Sequence, residues 1–303
     1  MHFPFRFSLR RTWQAVFFLV SAFFIASGAR ATEVEVITSF SILGDLIHQI
    51  GGERVSVHTL VGPGQDAHAY EPRPSDARRI KRARLVVQNG LGFDDWLPRL
   101  ARASGYQGKL VVASDGIRPL AMHNDAPRID PHAWQDVANV QIYVANIVAA
   151  LIAADPGGAE FYRANATRYR AALDVLDADI RAAVARLPQE RRRVVSAHDA
   201  FGYFARAYGL IFLAPKGASA HSKPGARDVA RLIKQLRSEK APAVFIETIL
   251  DPRLIERIRI ESGATMGGTL YSDALSPPGG PASTYIAMMR HNLDTLMAAL
   301  AVY

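Results

Sequence analysis

The sequence predicts an α/β protein: two (β/α) lobes with mainly parallel sheets, joined by one long rigid helix. Three observations carry this. Short β-type apolar runs alternate with helical patterns from Glu33 onward. One long periodic segment, Ala159 to Leu187, separates two such alternations. Four side chains able to bind metal, His68, His132, His198 and Asp273, each follow a strand-like run.

In the first half, Val34–Thr38 reads as a strand and Ile42–Ile50 as a helix ended by Gly51-Gly52. Val55–Val61 is a second strand, followed by the Gly62-Pro63-Gly64 turn and the loop carrying His68. Ser75 is expected to cap a short arginine-rich helix, and Leu85–Gln88 to form a third strand. Asp94–Ala103 reads as a helix and Leu110–Ala113 as a fourth strand, after which a longer loop runs to His132. A helix from about Val137 stops before Asp155-Pro156.

In Ala159–Leu187, apolar residues Phe161, Tyr169, Leu173, Leu176, Ile180, Val184 and Leu187 recur at helical steps, and Pro188 ends the run. At 1.5 Å per residue such a helix is on the order of 40 Å long. The second half repeats the pattern, with strands at Arg193–Ala197, Leu210–Leu213, Ala243–Ile246 and Thr265–Leu270. Helices are expected at Ala200–Tyr208, Arg227–Glu239, Pro252–Glu261 and Thr284–Ala301. The organisation is therefore a signal peptide at 1–31, an N-terminal metal-binding lobe at 32–155, a linking helix at 156–188 and a C-terminal metal-binding lobe at 189–303.

The start of the chain has the features of an export signal: Arg6, Arg10 and Arg11, a short apolar run from Ala15 to Ser27, then Ala29-Arg30-Ala31. The run is shorter than the roughly 20 residues of a spanning helix. The expected cleavage follows Ala31 and the expected location is the periplasm. The chain has no cysteine, which excludes a disulfide framework and leaves imidazole and carboxylate as its metal donors. The formal charge of +8 includes four arginines from the signal. Basic clusters at Arg78–Arg84 and Arg191–Arg193 read as solvated helix surfaces, without interleaved aromatics for nucleic acid.

In open α/β sheets, ligands bind beyond the carboxyl ends of the strands. His68, His132, His198 and Asp273 all occupy that position, two in each half, so the expected site lies in a shared cleft. His48, His58, His123, His221 and His291 lack this placement. Glu247, ending a strand in the same region, is either a supporting group for the site or an acid at a helix start.

The local settings are Asp66-Ala67-His68-Ala69-Tyr70-Glu71-Pro72, Asp130-Pro131-His132-Ala133-Trp134, Ser196-Ala197-His198-Asp199-Ala200-Phe201 and Leu270-Tyr271-Ser272-Asp273-Ala274-Leu275-Ser276. In this order they resemble the periplasmic zinc/manganese-binding proteins of metal ABC transporters (ZnuA-like and TroA-like), from about Val34 to Leu300. The resemblance implies metal held between two lobes by His68, His132, His198 and Asp273. It also implies an ABC permease as partner, with Zn²⁺ or Mn²⁺ as the transported ligand and no catalytic residues. Two departures stand out. The stretch between the first two ligands holds only His123, where many zinc-binding members carry a histidine-rich loop, and the segment around His221 differs from the acidic one common there.

Three imidazoles and one carboxylate favour zinc over manganese. A monomer that binds no nucleic acid is expected. The alternatives are a secreted zinc-dependent hydrolase, which needs an open metal position, and a binder of a metal chelate such as siderophore, haem or cobalamin.

Overall fold

The structure, a computed structural model, describes residues 1–2, 33–68, 70–122, 128–215, 225–239, 243–249 and 252–301. Residues 3–31 of the expected signal peptide, its cleavage point, and His123 and His221 lie outside the described residues. Glu33–Tyr303 forms one compact unit.

Two four-stranded parallel sheets are built the same way. In the first, β1 (Val34–Phe40), β2 (Val55–Val61), β3 (Leu85–Gln88) and β4 (Lys109–Val112) lie in the order β2-β1-β3-β4. In the second, β5 (Arg193–Val195), β6 (Ile211–Leu213), β7 (Ala243–Glu247) and β8 (Thr265–Leu270) lie in the order β6-β5-β7-β8. β1 runs in register with β2 from Val34↔Val55 to Phe40↔Val61, and with β3 from Val36↔Leu85. Val36, Ile37, Val86 and Val87 are fully buried, as expected for parallel strands covered on both faces. The strand order reverses at the first strand of each sheet, and a reversal of this kind opens a crevice at the carboxyl edge.

The helices are α1 (Ser41–Gly51), α2 (Pro74–Arg82), α3 (Trp96–Ser104), α4 (Val137–Ala154), α5 (Ala159–Ala185), α6 (Gly202–Tyr208), α7 (Ala226–Glu239), α8 (Pro252–Ser262) and α9 (Tyr285–Leu300). Three starts differ from the sequence expectation by two residues, α6 beginning at Gly202 instead of the expected Ala200, and two of them have a local cause. α2 begins at Pro74, and Ser75 does not cap it. Pro74 is preset for the first turn, while Asp76 Oδ2 accepts from the Arg73 N–H at 2.7 Å and from the Tyr70 hydroxyl at 2.7 Å. α3 begins at Trp96 because the buried Asp94 is used elsewhere. Its carboxylate accepts from Asn89 N at 2.6 Å and Gly90 N at 3.0 Å, closing the loop that precedes the helix.

α5 is 27 residues long, roughly 40 Å at the helical rise, and carries one buried stripe through Tyr162, Tyr169, Leu173, Leu176, Ile180 and Val184. It ends at Ala185, two residues before the expected Leu187. Arg186 and Leu187 finish in tighter turns onto Ala183 O and Val184 O. α5 packs on α1 and α4 from the first half and on α6 and α9 from the second. α4 is apolar enough by length and composition to cross a membrane, but it lies against α5 as a core helix. The main core is continuous from Val34 to Leu300, and a smaller one, including Val195, Ala197, Val229, Val244 and Ile255, backs the second sheet.

Leu176 is fully buried in the α5 stripe. Leu176→Ala is expected to cost about 2–5 kcal/mol through lost burial and the cavity left behind. Urea unfolding of the metal-free protein should show a lower midpoint with an unchanged slope.

Candidate metal centre

Every sequence-predicted site residue comes to one place. His68, His132, His198 and Asp273 each offer a donor atom, and the four atoms lie within 4.8 Å of one another. This is the only such group of three or more His, Asp or Glu among the described residues. His68 Nε2 lies 3.3 Å from His132 Nε2 and 3.2 Å from Asp273 Oδ2. His132 Nε2 is 3.6 Å from Asp273 Oδ1, and His198 Nε2 is 3.4 Å from Asp273 Oδ2. A tetrahedral ion with bonds near 2.1 Å separates its ligand atoms by roughly 3.4 Å. These edges have that length.

Each ligand is delivered by its own local device. His132 follows the long loop after β4, which an Ala121–Ile129 bridge and the Asp130 N–H to Leu120 O bond (2.7 Å) draw back on itself. Asp130 Oδ1 accepts from His132 N at 2.9 Å and sits 2.7 Å from its Nδ1. A side chain at Gly202 would place its Cβ 2.5 Å from Asp130 Oδ2, so this glycine gives the carboxylate room. His198 leaves the end of β5, beside β7. Glu247, the last residue of β7, accepts from Ala197 N (2.9 Å) and His198 N (3.0 Å) through Oε1, while its Oε2 is 2.6 Å from His198 Nδ1. Glu247 is therefore a supporting group for the site.

With a carboxylate bonded to Nδ1, the ring proton sits there and the Nε2 lone pair is free to bind metal. His132 has this arrangement through Asp130, and Glu247 places a carboxylate oxygen 2.6 Å from His198 Nδ1. His68 is set differently: its backbone N–H donates to Asp66 Oδ1 at 2.8 Å, and its ring meets Phe93 edge-on at 4.5 Å between centroids. It is the ligand nearest to water, with 13% of its side chain exposed against 2% or less for the others.

Asp273 sits in a loop fastened to the first half of the chain. Trp134 Nε1 and Gln135 Nε2 both donate to Ser272 O at 2.8 Å, Leu275 N donates to Ser41 Oγ at 3.0 Å, and Gly64 N donates to Leu275 O at 2.9 Å. Its carboxylate is wholly buried and neither oxygen accepts a hydrogen bond. A buried carboxylate without donors is costly unless a cation faces it, so the donor set fits a metal ion.

The electrostatics agree. Burial opposes the charged form of His132, but the Asp273 carboxylate and the Asp130 hydrogen bond override it and carry its pKa to about 9. Burial likewise opposes charge on His198, yet Glu247 and Asp273 raise its pKa well above the usual imidazole value. Asp273 is held well below the usual carboxylate range by His132 and His198, against its burial.

The sequence did not single out Asp130. The signal available was the Asp-x-His spacing shared by Asp66/His68 and Asp130/His132, which lets the aspartate accept the histidine backbone N–H in both cases. Of the other histidines within the described unit, His48 is exposed on α1, His58 contacts Arg79, and His291 contacts Thr269 O.

Comparison with known proteins places this geometry in context. Residues 36–299 match the family described as the periplasmic zinc-uptake complex component A, ZnuA. The chain is 37% identical over 268 residues to the manganese-binding lipoprotein MntA of Halalkalibacterium halodurans, covering 88% of this chain and 89% of that one. It is 33% identical to the iron-binding protein YfeA of Yersinia pestis, covering 88% and 86%. Among solved structures, the periplasmic zinc-binding protein TroA of Treponema pallidum matches with a TM-score of 0.84, 32% identity and coverage of 88% and 99%. The Mn-bound periplasmic metal-binding protein of Candidatus Liberibacter asiaticus matches with a TM-score of 0.81 and 31% identity, covering 88% and 100%.

Two outcomes are expected from this geometry. The raised pKa values leave His132 and His198 protonated at neutral pH without metal, so an incoming ion displaces about two protons. Calorimetry in buffers of differing ionisation enthalpy measures that number, and affinity should fall as pH is lowered. In the metal-free protein, the stability His132 gains from its raised pKa is complete below about 6.5 and lost as pH rises through about 9, which a melting-temperature series over that window would follow. Glu247→Gln should weaken metal binding about 10–100-fold by loosening the His198 ring. Unchanged affinity in that variant, by competition with a chromophoric chelator, would contradict the role given to Glu247.

Proposed function

The chain belongs to the ZnuA family, a family of metal-binding components of ABC transporters, and we propose that it captures a divalent transition-metal ion between its lobes and hands it to a membrane permease. The bound ion is the cargo. His68, His132, His198 and Asp273 are its ligands, with His198 anchored by Glu247 and His132 by Asp130. The observation that carries this reading is the wholly buried Asp273 carboxylate, with no backbone donor to either oxygen and three imidazole nitrogens around it.

Zinc is the ion that the donor set suits best, with three imidazole nitrogens and one carboxylate. A specific observation supports manganese as a second reading. Asp273 turns Oδ1 toward His132 and Oδ2 toward His68 and His198, so both oxygens can reach one ion and give the higher coordination number manganese prefers. Relatives are named for manganese, iron and zinc. Zinc binds such a site more tightly than manganese whatever the cargo in the cell. Four protein donors also leave no position for an activated water, which supports transport over metal-dependent hydrolysis. The protein works as a monomer in the periplasm after cleavage behind Ala31.

Mass spectrometry of protein recovered from its native periplasm, with no metal added, distinguishes the two ions. About one zinc per chain supports the first reading; manganese that added zinc displaces supports the second. The transport reading falls if neither ion binds by calorimetry, or if His198→Ala binds metal as the unaltered protein does. An expected loss of 100-fold or more for that variant follows from removing one of four donors.

A further inference from the structure

One flank of the first lobe carries a charge that metal capture does not use. Residues 71–109 contain nine basic side chains, Arg73, Arg78, Arg79, Lys81, Arg82, Arg84, Arg99, Arg102 and Lys109, against four acids. All nine are exposed, while two of the acids, Asp76 and Asp94, are buried and bonded internally. Glu71 and Asp95 remain exposed there, with Glu35 on the adjoining strand. α2 and α3, which supply six of the nine, pack against each other and present them on one flank.

The pattern of pairing sets this flank apart. Elsewhere several exposed or partly exposed arginines hold carboxylates, as in Arg163–Glu160, Arg181–Asp177, Arg257–Glu261 and Arg290–Asp179, while others such as Arg170 and Arg192 bond neutral groups. None of the nine forms an ion pair among the described residues. Arg79 instead contacts the His58 ring at 3.0 Å and Arg84 the Ala154 carbonyl at 3.4 Å, neither of which supplies a negative charge. The whole chain has 36 basic and 28 acidic residues, with four arginines and no acid before residue 32. Residues 71–109 alone carry an excess of five basic side chains, and two of their four acids are buried.

We propose that the α2–α3 flank docks on anionic phospholipid headgroups and holds the protein at the membrane surface where its permease lies. This rests on the transport reading above only for its location. Guanidinium groups match phosphate oxygens in paired geometry, and a cluster of such groups is drawn to an anionic leaflet. The aromatic residues of the segment, Phe93, Trp96 and Tyr106, are buried or half-buried, so the flank lacks exposed platforms on which nucleobases stack. Relatives such as MntA are named lipoproteins, which are proteins held at a membrane surface.

The test is sedimentation of protein recovered from the periplasm with vesicles of phosphatidylglycerol and phosphatidylcholine, or of phosphatidylcholine alone. Binding to the anionic vesicles only, lost at roughly 0.5 M salt, is the expected result. The triple variant R78E/R79E/R82E should bind at least about tenfold more weakly, and R78Q/R79Q/R82Q should fall between it and the unaltered protein. A zinc-induced rise in melting temperature equal in all three proteins shows that they are folded and that the metal centre is intact. Equal binding to both vesicle types, or variants that bind as the unaltered protein does, would overturn the proposal. So would retention by the permease in detergent with no affinity for lipid. Failure of the transport reading would appear separately, as no zinc response in any of the three proteins.

Discussion

The centre is organised around one carboxylate whose neighbours are all imidazoles. Asp273 is fully buried, no backbone N–H reaches either oxygen, and the ring nitrogens of His68, His132 and His198 lie 3.2, 3.6 and 3.4 Å away. Placing a charge there without a cation costs several kcal/mol after relaxation. Much of the surrounding chain serves to hold that arrangement. Trp134 and Gln135 grip the preceding carbonyl, Ser41 and Gly64 fix Leu275, and Tyr285 N donates to Asp45 at 2.8 Å just beyond. The raised pKa values of His132 and His198 and the lowered one of Asp273 have a common cause, the mutual attraction of imidazolium and carboxylate, which offsets the cost of burying each.

The two sheets share an order, and that shared order explains where the ligands come from. In each sheet the chain starts in an inner strand, crosses to one edge, then returns past the start to the other side. The crevice at the carboxyl edge receives His68 after β2 and His132 after β4, then His198 after β5 and Asp273 after β8. Glu247 at the end of β7 lies beside His198 because β7 and β5 are hydrogen-bonded neighbours. Neighbouring strand ends therefore supply a ligand and its support without any local sequence motif.

Most of this was legible in the chain. Alternating periodicities gave the strands and helices, and the uninterrupted stripe of α5 gave the long helix to within two residues. The four ligands stood out because each followed a strand-like run in a compact motif. What escaped depends on side-chain geometry. A carboxylate at position 94 looks like a helix-start acid until it is found buried against Asn89 and Gly90. Asp130 was visible as part of a motif, but its grip on the His132 ring required coordinates, as did the space left for it by Gly202. The two readings of Glu247 likewise needed coordinates, which put its carboxylate on the His198 backbone N–H and 2.6 Å from His198 Nδ1.

The four ligands are not held equivalently. His68 and His132 belong to the first lobe, and the Asp273 loop, though it follows the last strand of the second, is bonded to that same lobe through Ser41, Gly64, Trp134 and Gln135. His198 comes from a strand whose Val195 and Ala197 pack into the smaller core with Val229, Val244 and Ile255. Three of the four candidate donors thus share one frame. His198 sits where the two cores meet, between Val195 and Ala197 in the smaller and Val194, Ala200 and Phe201 in the main one, with Glu247 bonded to its backbone N–H.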